Sequence, residues 1–206
     1  VKLGQLLATR PDLIPQEYVD EFAELHDRVQ PLPFSVIEKV LKEEFGENLN
    51  QYFLSISQDP IGSASIAQVH RAQLITGEDV VIKVQRPGIT QVINEDLNVL
   101  YFLAEMIETY ISESHSYNPV AIVDEYFKTL ELETNFIVEA NNIRRFRKNF
   151  ENDSDIFIPQ VFMNLTTERC LTLEAVKGVP LSQENAIEIL GCDREEIVKK
   201  GLRAYL

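Results

Sequence analysis

Tryptophan is absent, and cysteine and methionine occur only twice each. The two cysteines, Cys170 and Cys192, are too far apart in sequence for a CxxC metal or redox site. They give no sign of a disulfide framework, so a reducing compartment is the simpler expectation. No stretch reaches the about 18 consecutive apolar residues of a membrane span, and no signal-peptide pattern is visible. Basic residues are scarce: 19 Lys and Arg stand against 33 Asp and Glu, for a net charge of -14. That balance argues against a nucleic-acid binder, whose phosphate contacts need a basic face. Arg144, Arg145, Arg147 and Lys148 form a local exception, read as a solvated helix face. The small-residue loop at 60–65 holds a single glycine, so it is neither a P-loop nor a GxGxxG turn. The three histidines, His26, His70 and His115, have no metal-ligand spacing, and none sits in an H-x-D loop. His70, amid an alternating strand pattern, reads as structural.

What remains is a 206-residue chain, 45% hydrophobic and 25% charged, enough for a folded core in one domain or two small lobes. Its periodicity predicts helices first: residues 2–9, then 16–28, then a helix capped by Ser35 and stopped by Gly46. The period then shortens, predicting antiparallel strands over Phe53–Ser57, Ile66–Leu74 and Val80–Val84, with a turn at Thr76–Asp79. Helical spacing returns over 89–112, with Val92, Ile93, Leu97, Leu100, Leu103, Ala104, Ile107 and Ile111 as a core face. It continues in one long helix over 119–150. Two strands at 156–162 and 168–176, then helices at 183–190 and 194–206, complete the pattern. The fold class is α+β: a five-stranded antiparallel sheet with inserted helices, an order that matches the small lobe of a protein kinase.

Lys83 interrupts a run of β-branched residues. On a strand it shares a face with Val81, while Val80, Ile82 and Val84 face the other way into a core. An unpaired ammonium does not belong in a dry interior, so Lys83 either snorkels to an edge or meets an anion. Upstream, Gly62, Ser63, Ala64 and Ser65 join two strands with small side chains, and successive N–H groups of such a turn can cradle phosphate oxygens. Glu139, in FIVEANN beside Ala140, is the candidate carboxylate that would orient Lys83 toward the phosphates of a nucleotide.

Four segments together resemble the ABC1 family of atypical protein-kinase-like proteins, also called the UbiB or ADCK family and tied to ubiquinone biosynthesis. Lys2-Leu3-Gly4-Gln5 is similar to its KxGQ motif. Gly62 to Ser65 followed by IAQVHRA is similar to its alanine-rich nucleotide loop. Val80 to Pro87 resembles its lysine-bearing strand, and LELETNFIVEANN resembles the helix with its Glu-x-Asp motif. The resemblance covers essentially the whole chain. It implies that Lys83 contacts phosphates and pairs with Glu139, and that Gly62, Ser63, Ala64 and Ser65 cover those phosphates. Val81 and the hinge residues Glu174 and Val176 would line the adenine site. Lys2 and Gln5 would fold across the cleft, facing Glu133 and Asn135. It further implies ATP with Mg²⁺, ATPase or small-molecule kinase chemistry, and partners among quinone-biosynthesis proteins or an isoprenoid lipid. The expected location is the cytoplasm or the cytoplasmic side of a bacterial inner membrane, with any membrane association supplied by missing C-terminal sequence.

Two residues depart from the family pattern. Asn135 stands where the motif has Asp, and Gly62 opens a loop that usually begins with alanine, which predicts a looser loop. The family's catalytic-loop Asp and Asn and its Asp-Phe-Gly metal segment have no counterpart here, so no metal ligand is assigned and the fragment alone is expected to be inactive. The expected organisation is a helical extension over 1–50, a kinase-like small lobe over 51–176 and the start of a large lobe over 177–206. A nucleotide-binding scaffold without phosphotransfer and a true protein kinase are the alternatives.

Overall fold

The computed structural model describes residues 15–23, 29–111, 118–181, 183 and 185–205. The helix expected at 2–9 lies outside them, as do His26 and His115. Two helices, α1 (Gln16–Ala23) and α2 (Phe34–Phe45), precede a sheet of β1 (Phe53–Ser63), β2 (Ala67–Leu74) and β3 (Asp79–Gln85). Then come α3 (Ile89–Tyr110), α4 (Pro119–Thr134), α5 (Phe136–Asn149), β4 (Cys170–Glu174), α6 (Ala186–Leu190) and α7 (Arg194–Tyr205). The strands are ordered β1-β2-β3-β4, all antiparallel.

β3 organises the packing. Val80, Ile82 and Val84 are fully buried and meet Ile37, Val40 and Leu41 of α2, with Phe53, Leu74 and Cys170, in one core cluster. Removing each such aliphatic side chain from water contributes about 1.5–3 kcal/mol. The opposite face carries a second cluster, in which Phe136 and Ala140 of α5 pack with Ile66, Ala67, Val161 and Leu171. Leu171 is the register partner of Lys83, so Lys83 lies in the row that faces α5. Cys170, on the α2 side, is a buried free thiol pushed up to about 12 by burial, which makes it packing rather than chemistry.

Several expectations are corrected. The sheet among the described residues has four strands, not five. Residues 156–162 run beside β4 but form only an isolated bridge, Val161 to Leu173. Pro159 has no N–H to give, and the Gln160 N–H turns to the Glu174 carboxylate at 3.0 Å instead of to a backbone carbonyl. The helix expected over 119–150 is two helices. Its apolar series steps from Leu130 to Phe136, a spacing that no single helical face accommodates. The chain breaks at Asn135, whose extended backbone (φ -99°, ψ 102°) ends α4 and whose side chain accepts the Ile137 N–H as the N-cap of α5.

Ser35 is not a cap: α2 starts at Phe34 behind Pro33, with no side-chain cap bond. Gly46 does stop this helix, at φ 90° with its N–H on the Lys42 carbonyl. β1 outruns its expected end at Ser57 and reaches Ser63 through register irregularities around Pro60, so the loop proper shortens to Ala64–Ile66. On α3 only Leu97 and Ala104 are buried; Val92, Leu103, Ile107 and Ile111 of the expected core face are exposed. No helix among the described residues is long and apolar enough to cross a membrane.

A polar network secures the segment entering α2. Gln68, fully buried on β2, accepts the Leu32 N–H at 2.8 Å and donates to the Leu32 carbonyl at 3.2 Å. Its amide also lies 3.1 Å from His70 Nε2, and His70 Nδ1 lies 2.9 Å from the Ser57 carbonyl. A carbonyl only accepts, so Nδ1 carries the proton and Nε2 accepts from Gln68.

These contacts make two predictions. Asn135→Ala removes the cap and is expected to destabilise by about 1 kcal/mol, whereas Asn135→Asp, an equally good cap, stays near wild type; urea denaturation of both variants checks it, and equal losses in the two would remove the capping role. Burial holds the His70 pKa below its ordinary value of 6.5. With the folded value depressed, the unfolded chain binds more protons below about pH 6.5. The His70 contribution is thus fully present above that pH and is lost as pH falls through the window beneath it. Wild type should therefore lose more melting temperature between pH 7.5 and 5.5 than His70→Gln, and parallel pH profiles would contradict the network.

Candidate functional site

The Lys83 ammonium donates to Glu139 Oε2 at 2.6 Å. Both side chains are partly exposed, 27% and 37%. The ammonium also sits 4.7 Å from the centre of the buried Phe136 ring, a cation–π contact of about 0.5–1 kcal/mol. Glu139 lies in the first turn of α5, where a carboxylate is favoured by the helix dipole. The lysine reaches it because side chains on β3 alternate and the Lys83 row faces α5.

Two bonds tie the α4–α5 junction to chain outside it, while the Asn135 cap closes the end of α5 itself. The Phe136 N–H donates to the Glu168 carbonyl at 3.0 Å. Gln85, buried at the end of β3, donates through Nε2 to the Thr134 carbonyl at 2.8 Å. Gln85 therefore holds the last turn of α4 from the same strand that carries Lys83, two residues away.

The expected phosphate loop is pinned by Arg86. Its Nε donates to the Ala64 carbonyl at 2.9 Å, and one Nη donates to Ser63 Oγ and to the Gln30 carbonyl, both at 2.8 Å. Its own N–H reaches the Ile66 carbonyl at 2.9 Å. Partial burial lowers the basicity of this guanidinium from its ordinary value, but arginine stays charged throughout the physiological range. Gly62 is a strand residue paired with Val69; its φ is not positive, and a Cβ at this position would meet open space.

The other expected residues are distributed around this centre. Val81 is half-buried on the Lys83 face. Glu133 and Glu139 both line an open cleft of about 580 Å³ between α4, α5 and Ile158–Pro159. Glu174 and Val176 border a different depression of about 590 Å³ with Phe157, Gln160 and Phe162. Ser65 lines a third, of about 430 Å³, with Ile89, Leu97 and Tyr126. Lys2 and Gln5 lie outside the described residues. The structure thus joins Lys83 to Glu139 directly and places Glu133 on the same cleft as Glu139, while Ser65 and the pair Glu174 and Val176 border two other depressions.

Sequence reasoning gives no role to Arg86 or Gln85 and reads Phe136 as core alone. The polar pair Gln85-Arg86, ending an apolar strand just before Pro87, is the signal that could have found them.

The ABC1 atypical kinase-like domain family matches residues 24–206. A protein named probable protein kinase UbiB from Marinobacter nauticus is 37% identical over 205 residues, covering 100% of this chain and 38% of that protein. A protein named uncharacterized protein sll1770 from Synechocystis is 36% identical over 206 residues, covering 100% of this chain and 35% of its own length. The chain thus spans little more than a third of these curated relatives. Among solved structures, Rv3197 of Mycobacterium tuberculosis, determined as a complex with erythromycin, superposes with a TM-score of 0.64 at 27% identity, covering 87% of this chain and 45% of that one. On the strength of the family match across nearly its whole length, together with the kinase-like arrangement of sheet, lysine and helix, the chain belongs to the ABC1 atypical kinase-like family.

Proposed function

We propose that this chain is the nucleotide-binding part of an ABC1-type atypical kinase or ATPase that supports isoprenoid quinone biosynthesis. The Lys83–Glu139 contact at 2.6 Å carries the reading. Magnitudes favour a functional purpose for it. A partly exposed ion pair stabilises a fold by only about 0–1 kcal/mol. What such a pair does well is fix the direction of a flexible ammonium. Glu139 engages one of the three donors of Lys83, and it is the one oxygen partner of that ammonium among the described residues. The group therefore fits a nucleotide: it retains donors for phosphate oxygens at a partly open position.

In this reading Lys83 holds the phosphates and Glu139 aims it. Ser63, Ala64 and Ser65 approach the phosphates from β1–β2, with Gly62 leading into the turn. Val81 packs beneath the adenine. The Glu174 and Ala175 N–H groups already donate to Gln160 and Asp79 carbonyls, so in this reading the hinge offers adenine the Val176 N–H as donor and the Glu174 carbonyl as acceptor. Lys2, Gln5, Glu133 and Asn135 are the regulatory set. Among the described residues no group of three or more His, Cys, Asp or Glu could hold a metal ion, and in this reading the Mg²⁺ of bound ATP draws its protein ligands from elsewhere in the full-length protein. The transfer step and its acceptor, including any isoprenoid lipid, belong to that whole protein. So does docking to quinone-biosynthesis proteins or to the cytoplasmic face of a membrane. The three-part organisation, 1–50, 51–176 and 177–206, is likewise part of the proposal.

Binding of MgATP to the full-length protein, measured by calorimetry, tests the reading. Lys83→Met should weaken it at least about tenfold, the scale of one charged hydrogen bond lost, while moving stability by about 1 kcal/mol or less. Glu139→Gln should fall between Lys83→Met and wild type. Unchanged affinity in Lys83→Met rejects the nucleotide site, and unchanged quinone content in cells carrying that variant rejects the pathway.

A further inference from the structure

The Arg86 side chain, just beyond the end of β3, grips two chain segments remote from each other in sequence. The Gln30 carbonyl is 56 residues from Arg86, and Ser63 is 23 away. All three acceptors of the guanidinium are neutral oxygens held in fixed places, two carbonyls and a hydroxyl. A planar fork suits that task, whereas an ammonium offers a single point. Arg86 is thus a brace between segment 29–33 and the loop Ser63–Ile66, rather than half of a surface ion pair.

The second anchor of the segment stands beside the first. Gln68, which holds the Leu32 backbone from both sides, is the register partner of Ser63. Pro31 and Pro33 flank Leu32 and stiffen this stretch. Beyond Pro33 the chain runs directly into α2, whose Ile37, Val40 and Leu41 are fixed in the core. A displacement arriving from the N-terminal side therefore meets a stiff segment held at two points, and one of those points is shared with the loop.

We propose that Arg86 is a positioning residue that couples segment 29–33 to the loop Ser63–Ile66. The loop keeps its shape while the segment is docked and loosens when the segment leaves, because the same guanidinium orders both. Resting on the nucleotide reading given above, this makes the docking of the N-terminal segment a control on phosphate affinity. Linkage requires the reverse as well: an anion that orders the loop tightens the segment.

Hydrogen exchange on the full-length protein tests this, followed by mass spectrometry on peptides covering 29–33 and 62–67. Arg86→Lys keeps the charge but cannot satisfy three acceptors. It should accelerate exchange in both peptides together by about tenfold, the equivalent of one charged hydrogen bond. Gln68→Met releases the segment at its other anchor and should accelerate the loop peptide in wild type, with no added effect in the Arg86→Lys background. Leu32→Ala, which trims the segment's packing on the core and spares the Gln68–His70 contact, loosens the segment by a different route if Gln68→Met fails to fold. Acceleration confined to one peptide in Arg86→Lys, or a loop unmoved when the segment is released, overturns the coupling. MgADP should slow exchange at 29–33 in wild type but not in Arg86→Lys. If the two peptides stay coupled and MgADP protects neither, the brace stands and the nucleotide reading falls.

Discussion

The alternation of side chains along β3 is the constraint on which the site depends. Val80, Ile82 and Val84 must all face α2 to complete the larger core, and a strand cannot bury them there without sending Lys83 to the opposite face. A one-residue slip of register would move every one of these groups to the wrong side. The buried aliphatics are therefore what orient the lysine. Each contributes more stability than the Lys83–Glu139 pair does, so the core sets the position and the ion pair refines it.

Glu139 reaches Lys83 only because α4 and α5 are separate helices. Continued through residue 135, a single helix could not bury both Leu130 and Phe136 against the same wall, since six residues advance the face far from its starting direction. The break lets Phe136 and Ala140 turn onto the sheet and brings Glu139 with them. Asn135 sits at that break, capping α5 through its side-chain oxygen. Its departure from the Asp of the Glu-x-Asp motif consequently keeps the local geometry. Asparagine and aspartate cap a helix about equally, and what asparagine lacks is the negative charge.

Hydrophobic period makes much of this legible in advance. The buried set of β3, the stop at Gly46, the structural role of His70 and the meeting of Lys83 with Glu139 are all readable in the sequence. The failures have particular causes. Residues 156–162 (IFIPQVF) are β-branched and aromatic enough to read as a strand, but that composition does not weigh the missing N–H of Pro159 or the side-chain competition from Glu174. The 119–150 segment is helical in composition throughout, and only the offset between Leu130 and Phe136 marks its break. The apolar face of α3 reads as core because helical spacing shows where apolar residues cluster and not what lies opposite them. Leu97 and Ala104 find neighbours, while Val92, Leu103 and Ile107 face outward among the described residues.

The residues that sequence period misses most completely are polar ones on strands or just past a strand end. Gln68, Gln85 and Arg86 break no hydrophobic pattern, yet each grips backbone outside the sheet: Leu32, Thr134, and Gln30 with Ala64. Among the described residues no buried side-chain nitrogen or oxygen lacks a partner. This matters energetically, since an unmet buried polar group costs about 1–3 kcal/mol. Gln68 in particular is fully buried and could not remain so without the Leu32 backbone to meet it. The sheet therefore does two things with different residues. Its aliphatic positions hold α2 and α5 without directional preference, and its polar positions fix three irregular segments at defined distances. Those three segments are the entry to α2, the β1–β2 loop and the α4–α5 junction, and the last of them leads into the helix that carries Glu139. Directional bonds thus set distances for irregular chain that aliphatic packing, being non-directional, does not.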